Sequence, residues 1–105
     1  MPTSLHIENL AREYIAQEIV PLLPAEVGAL TLEIVAWHMT IHVYQYEDFS
    51  DLDFGQLDAA VERLAGILPP RQCEPWWTSM AWHRVKRGEP PQYDGEIFYE
   101  RWAKL

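Results

Sequence analysis

Over the first quarter of the chain, apolar residues return every three or four positions. Ile7, Leu10, Ala11, Tyr14, Ile15, Ile19 and Leu22 or Leu23 form one stripe, with Glu8, Arg12, Glu13 and Glu18 between them. That period predicts an amphipathic helix over 4–23. Ser4 can cap its start, and Glu8 suits the positive end of the helix dipole. Pro21 lacks a backbone donor, so the regular helix is expected to end near Val20, with a turn over 24–28. From Leu30 to Tyr46 the pattern becomes an alternation among β-branched and aromatic residues, as in extended chain. The alternation changes phase: Leu32, Ile34 and Ala36 occupy even positions, whereas Met39, Ile41 and Val43 occupy odd ones. A one-residue slip would carry the apolar set to the wrong face, so the chain must turn or bulge near Trp37-His38. No Gly or Asn marks a tight hairpin there, and a long bulged strand and two short strands both fit.

The helical period returns over 53–68, where Phe54, Leu57, Val61, Leu64 and Leu68 make one stripe. Asp53 and Gln56 fit a capping box, and Pro69-Pro70 stops the helix. Residues 76–87 read as a strand with Met80, Trp82 and Trp76 as candidates for one face. Residues 87–95 are a loop by composition, and 96–102 a closing strand. The order α-β-(β)-α-β-β, without internal repeats, predicts a single α+β domain over 1–105. Its expected form is an antiparallel sheet of three to four strands with two helices packed on one face.

Composition adds bounds. A chain of 105 residues can bury a core without staples. Four of five tryptophans (Trp76, Trp77, Trp82, Trp102) fall in the last third, too much aromatic area for a disordered segment. Cys73 is the only cysteine, which excludes an internal disulfide and a Cys-rich zinc module and suggests a reducing compartment. No stretch has the flank and core of a signal peptide or the ~18 apolar residues of a membrane span, so a cytoplasmic location is expected.

Charge changes the picture more. Residues 1–60 hold ten acids against one base, Arg12, while 61–105 hold seven bases and six acids, so the chain's net charge of −8 is one-sided. Such a field attracts a basic partner and repels nucleic acid. It is densest at Glu47-Asp48-Phe49-Ser50-Asp51-Leu52-Asp53. Asp51 and Asp53 precede a helix, where carboxylates satisfy free N–H groups. Glu47 and Asp48 have no such local role.

Candidate chemistry is sparse. His38 and His42 stand four apart, a zinc spacing on a helix, but the H-E-x-x-H glutamate is missing. On a strand the two would start about 13 Å apart, too far for one ion. Cys73 with His83 could be imagined as nucleophile and base, but Arg71 and Glu74 offset one another and the segment reads as a linker. Trp76-Trp77 with Arg84, Lys86 and Arg87 could stack bases, which the acidic balance opposes. No phosphate loop, nucleophile elbow or His/Asp metal cluster is visible in the sequence. No catalytic residue, metal ligand or cofactor is assigned on these grounds.

Several short segments resemble, distantly, the YezG-like family of immunity (antitoxin) proteins of bacterial polymorphic toxin systems. They are Leu22-Leu23-Pro24-Ala25-Glu26 closing the first helix, Glu74-Pro75-Trp76-Trp77-Thr78-Ser79-Met80, and Tyr99-Glu100-Arg101-Trp102-Ala103-Lys104-Leu105. The similarity spans most of the chain, which is shorter than the family pattern between its last two strands. The resemblance implies a stoichiometric inhibitor of a co-produced toxin, often a nuclease. A nuclease site is basic because it holds phosphate, and an acidic protein can occupy it or a neighbouring surface. The expected contacts are Glu47, Asp48, Asp51 and Asp53, with Tyr44, Tyr46 and Trp77 as aromatic anchors. A regulatory or scaffold subunit is the alternative. An enzyme using clustered carboxylates or histidines would require a concave pocket with convergent titratable groups.

Overall fold

The phase change near Trp37 is resolved by a two-residue turn. In the computed structural model, which describes residues 4–47, 55–69, 76–89 and 92–101, strand β1 (Val27–Val35) and strand β2 (His38–Tyr46) form an antiparallel hairpin closed by Ala36-Trp37. Ala36 takes the left-handed position, φ 52°, where glycine or asparagine is usual. That substitution for glycine costs roughly 1–2 kcal/mol, and it removes the turn signature from the sequence. The pairs Leu30–Val43, Leu32–Ile41 and Ile34–Met39 put the even positions of β1 and the odd positions of β2 on one face.

Both helices cover that face. Helix α1 (Ser4–Tyr14) continues through a widened turn, Ile15–Ile19, and a tightened one, Val20–Leu22. The change of pitch comes just before Pro21, which cannot donate to the helical ladder; Val20 N–H reaches back to the Ile15 carbonyl instead. Helix α2 (Gly55–Ile67) buries Leu57, Ala60, Val61 and Leu64. Together with Ile7, Ala11, Ile15 and Ile19 they close on Leu30, Leu32, Met39, Ile41 and Val43 in one core. Each fully buried aliphatic side chain contributes roughly 1.5–3 kcal/mol, so this core dominates the stability. Polar ties fix the helices: Tyr14 Oη donates to the Ala60 carbonyl at 2.8 Å, and Thr78 Oγ1 to the Val61 carbonyl at 3.0 Å. The Arg12–Glu96 ion pair at 2.7 Å is exposed and contributes at most about 1 kcal/mol. The expected caps at Ser4 and Asp53 involve side chains outside the description.

The wholly antiparallel sheet expected from the sequence is corrected. The sheet is mixed, in the order β3-β2-β1-β4, with β3 (Trp77–Val85) parallel to β2 and β4 (Glu96–Glu100) antiparallel to β1. A parallel neighbour needs a crossover of a dozen or more residues, and the segment containing α2 supplies it. The α+β class stands, and the order of elements is roughly the expected one. The parallel register brings residues 77–85 alongside 38–46, one for one. Among the described residues, no helix covers the opposite face of the sheet, and no helix is long and apolar enough to cross a membrane.

Candidate functional site

Strand alternation places Thr31 and Glu33 of β1, His38, His42 and Tyr44 of β2, and Trp77, Ser79 and His83 of β3 on the helix-free face. The pairing His38–Trp77 brings Ser79 beside β2, and His38 Nε2 lies 2.7 Å from Ser79 Oγ. Four residues on, His42 instead meets His83, Nδ1 to Nε2 at 2.7 Å, and its Nε2 lies 3.1 Å from Glu33 Oε1. The two strand histidines therefore engage different partners, consistent with their expected separation.

The loop before β4 lies over this row. Asp94 N–H donates to Tyr44 Oη at 3.0 Å, and Thr31 Oγ1 donates to the Asp94 carbonyl at 2.5 Å. Tyr93 packs edge-on to Tyr44 with ring centroids 5.2 Å apart, and its hydroxyl donates to Glu100. On its other side the Tyr44 ring stacks on His83 at 4.7 Å with 15° between planes. Such pairs contribute roughly 0.5–1.5 kcal/mol beyond area burial. One ligand-capable atom each from His42, His83 and Asp94 lies within 4.8 Å of the others. An open cleft of about 460 Å³ begins at Tyr44 and His83 and is rimmed by Glu47, Arg84, Lys86 and Glu89.

Burial lowers the His83 pKa from its ordinary 6.5, the facing His42 imidazole lowers it further, and Asp94 opposes both. The unfolded chain thus takes up this proton at a higher pH than the folded protein. Stability contributed here is complete above about pH 6.5, falls as pH drops through the window below it, and levels off below the folded pKa. Urea midpoints across pH 7.5 to 5 should show this fall, and His83→Gln should flatten it. An unchanged slope in His83→Gln would assign the fall to other groups.

The residues expected to bind a partner are placed unequally. Trp77 is 66% exposed on β3. Glu47 is exposed and its N–H donates to the Val85 carbonyl at 2.9 Å. Tyr46 is half-buried, with the Arg87 guanidinium 4.2 Å from its ring centre. Tyr44 is not at the surface: at 2% exposure it lies beneath Tyr93 and Asp94, which corrects its expected role as an open anchor. Asp48, Asp51 and Asp53 lie outside the described residues. Glu47 also shares its cleft with Arg84 and Lys86, so the basic partners missing around residue 47 in sequence arrive from the end of β3. The grouping of His42, His83 and Asp94 was invisible in the sequence, because parallel pairing and a distant loop create it. The chain matches no family model, and neither a curated protein nor a solved structure is significantly similar to it.

Proposed function

We propose that this protein is an immunity protein of the cytoplasm that binds and neutralises a basic toxin domain, a nuclease being the favoured kind. The observation that carries the reading is the sheet face that no described helix covers, in a chain with net charge −8; on it Trp77 stands two-thirds exposed. Val35 and Trp37, 62% and 48% exposed, lie at the same hairpin end, beside His38, which pairs with Trp77. Tyr46 and Glu47 lie at the other end of β2, about 26 Å along the strand at the usual rise per residue. A partner spanning the face would meet aromatic anchors at one end and, at the other, Tyr46 and Glu47 beside Arg84 and Lys86. Binding energy would come from burying the tryptophans, and speed of encounter from the net charge. The action is occupation of the toxin surface, and no chemical step is assigned to this chain.

The test uses a basic domain encoded immediately upstream, purified as a catalytically inactive variant. Trp77→Ala should weaken the one-to-one complex about tenfold or more, a hot-spot effect of over 1 kcal/mol. Its thermal midpoint should stay unchanged, since the ring is already exposed. Glu47→Lys should slow association and reduce its salt dependence. Wild-type affinity in both variants would overturn the proposed surface. Failure of the wild-type chain to bind or inhibit that domain would overturn the function.

A further inference from the structure

The cluster at the centre of the helix-free face has a chemistry of its own, independent of any protein partner. We propose that His42, His83 and Asp94 form a binding site for a divalent transition metal of the zinc class, with Glu33 orienting His42. The three residues come from β2, β3 and the loop before β4, and their ligand-capable atoms lie within 4.8 Å of one another. Ligands of a tetrahedral zinc ion stand about 3.3 Å apart, given bonds of about 2.0–2.1 Å. The 2.7 Å between His42 Nδ1 and His83 Nε2 must widen slightly, and the wider separations in the cluster must close.

Hydrogen bonding decides which atoms are free to ligate. Glu33 Oε1, 3.1 Å away, accepts from His42 Nε2–H, which leaves the lone pair of a neutral His42 on Nδ1, facing His83. In the metal-free protein His83 Nε2–H fills that gap by donating to Nδ1. Metal binding replaces this bridge, and the His83 proton moves to its own Nδ1. A histidine whose second nitrogen donates to a carboxylate is the usual arrangement at metal sites, because it fixes the tautomer and raises ligand basicity. Two imidazoles and one carboxylate suit zinc, cobalt or nickel, whereas magnesium and calcium favour all-oxygen shells.

The surroundings pre-position the ligands. Tyr44 stacks against the His83 ring, and Tyr44 Oη and Thr31 Oγ1 hold the two backbone polar groups of Asp94. The cleft that starts at Tyr44 reaches His83, one of the three ligands, and three protein ligands leave a fourth position for water or a partner's side chain.

The experiment uses the full chain, treated with EDTA and desalted, with Zn²⁺ alone and Co²⁺ alone as probes. Calorimetry should give one Zn²⁺ per chain and a raised thermal midpoint, and Co²⁺ should give visible absorption of a low-coordinate N/O site. His83→Gln and the exposed Asp94→Asn should each weaken Zn²⁺ binding at least tenfold, and Glu33→Gln by about 10–100-fold. His38→Gln, outside the cluster, should bind as wild type. Asp94→Asn keeps the test decisive even where His83→Gln fails to fold. No binding at millimolar Zn²⁺ by the folded wild type, or wild-type affinity in Asp94→Asn and Glu33→Gln, would overturn the site. None of these readouts involves a toxin, so this result stands or falls apart from the proposed immunity function.

Discussion

Gly95→Ala is expected to lose about 3 kcal/mol or more of stability, while Gly88→Ala loses about 1 kcal/mol. The two glycines have nearly the same backbone, φ +88° and +87°, so the left-handed penalty of about 1–2 kcal/mol is common to both. Their surroundings differ. A Cβ at Gly88 meets nothing within 4 Å. A Cβ at Gly95 would overlap the Leu32 carbonyl oxygen and lie 2.6 Å from the Leu32 carbonyl carbon and 2.9 Å from Glu33 Cα. These are backbone atoms of the central hairpin and cannot rotate aside, so the loop must lift away. Overpacking of this kind adds roughly 1–3 kcal/mol. Lifting the loop also withdraws Asp94 from Tyr44 and Thr31 and exposes the His42–His83 pair. Urea denaturation of both variants checks the difference. Equal losses would mean that the loop before β4 does not pack on β1 as described.

Gln45→Met is expected to stabilise the protein by about 2 kcal/mol, against the usual direction of core substitutions. Gln45 is fully buried at the end of β2, paired with Val27 on one side and Arg84 on the other. Neither Nε2 nor Oε1 has a hydrogen-bond partner among the described residues. A buried donor or acceptor left unsatisfied costs about 1–3 kcal/mol, and an apolar side chain of similar shape removes that cost. Methionine is close in size and unbranched, so the core need not rearrange. A rise of roughly 4–8 °C in thermal midpoint should accompany each kcal/mol in a domain of this size. A fall in stability for Gln45→Met would show that the amide is satisfied, and would remove the basis of the prediction.

The two substitutions also mark what could be read from the chain. Gln45 interrupts the odd-position series Met39, Ile41, Val43, so its inward direction was legible, although its lack of partners was not. Gly95 read only as loop composition. Its necessity depends on how closely the chain passes Leu32, a distance no local pattern encodes. The acidic run shows the same division. Its charge was plain, but the basic groups from the end of β3 that share the cleft with Glu47 appear only in the fold. Tyr44 was correctly placed on a strand, and its cover by Tyr93 and Asp94 could not be foreseen.

What the sequence determined by itself is therefore local and periodic. The helical stripes, the slip of phase at Trp37 and the order of elements all follow from spacing, because burial of one face imposes a period of 3.6 or 2. The tertiary structure decided the parallel placement of β3, and with it the meeting of His42 with His83 and the seat of Asp94 above Tyr44. Alternation along a strand fixes which face a side chain takes but is indifferent to the direction and identity of the neighbouring strand. That choice rests on the crossover through α2 and on the packing of both helices over one shared core.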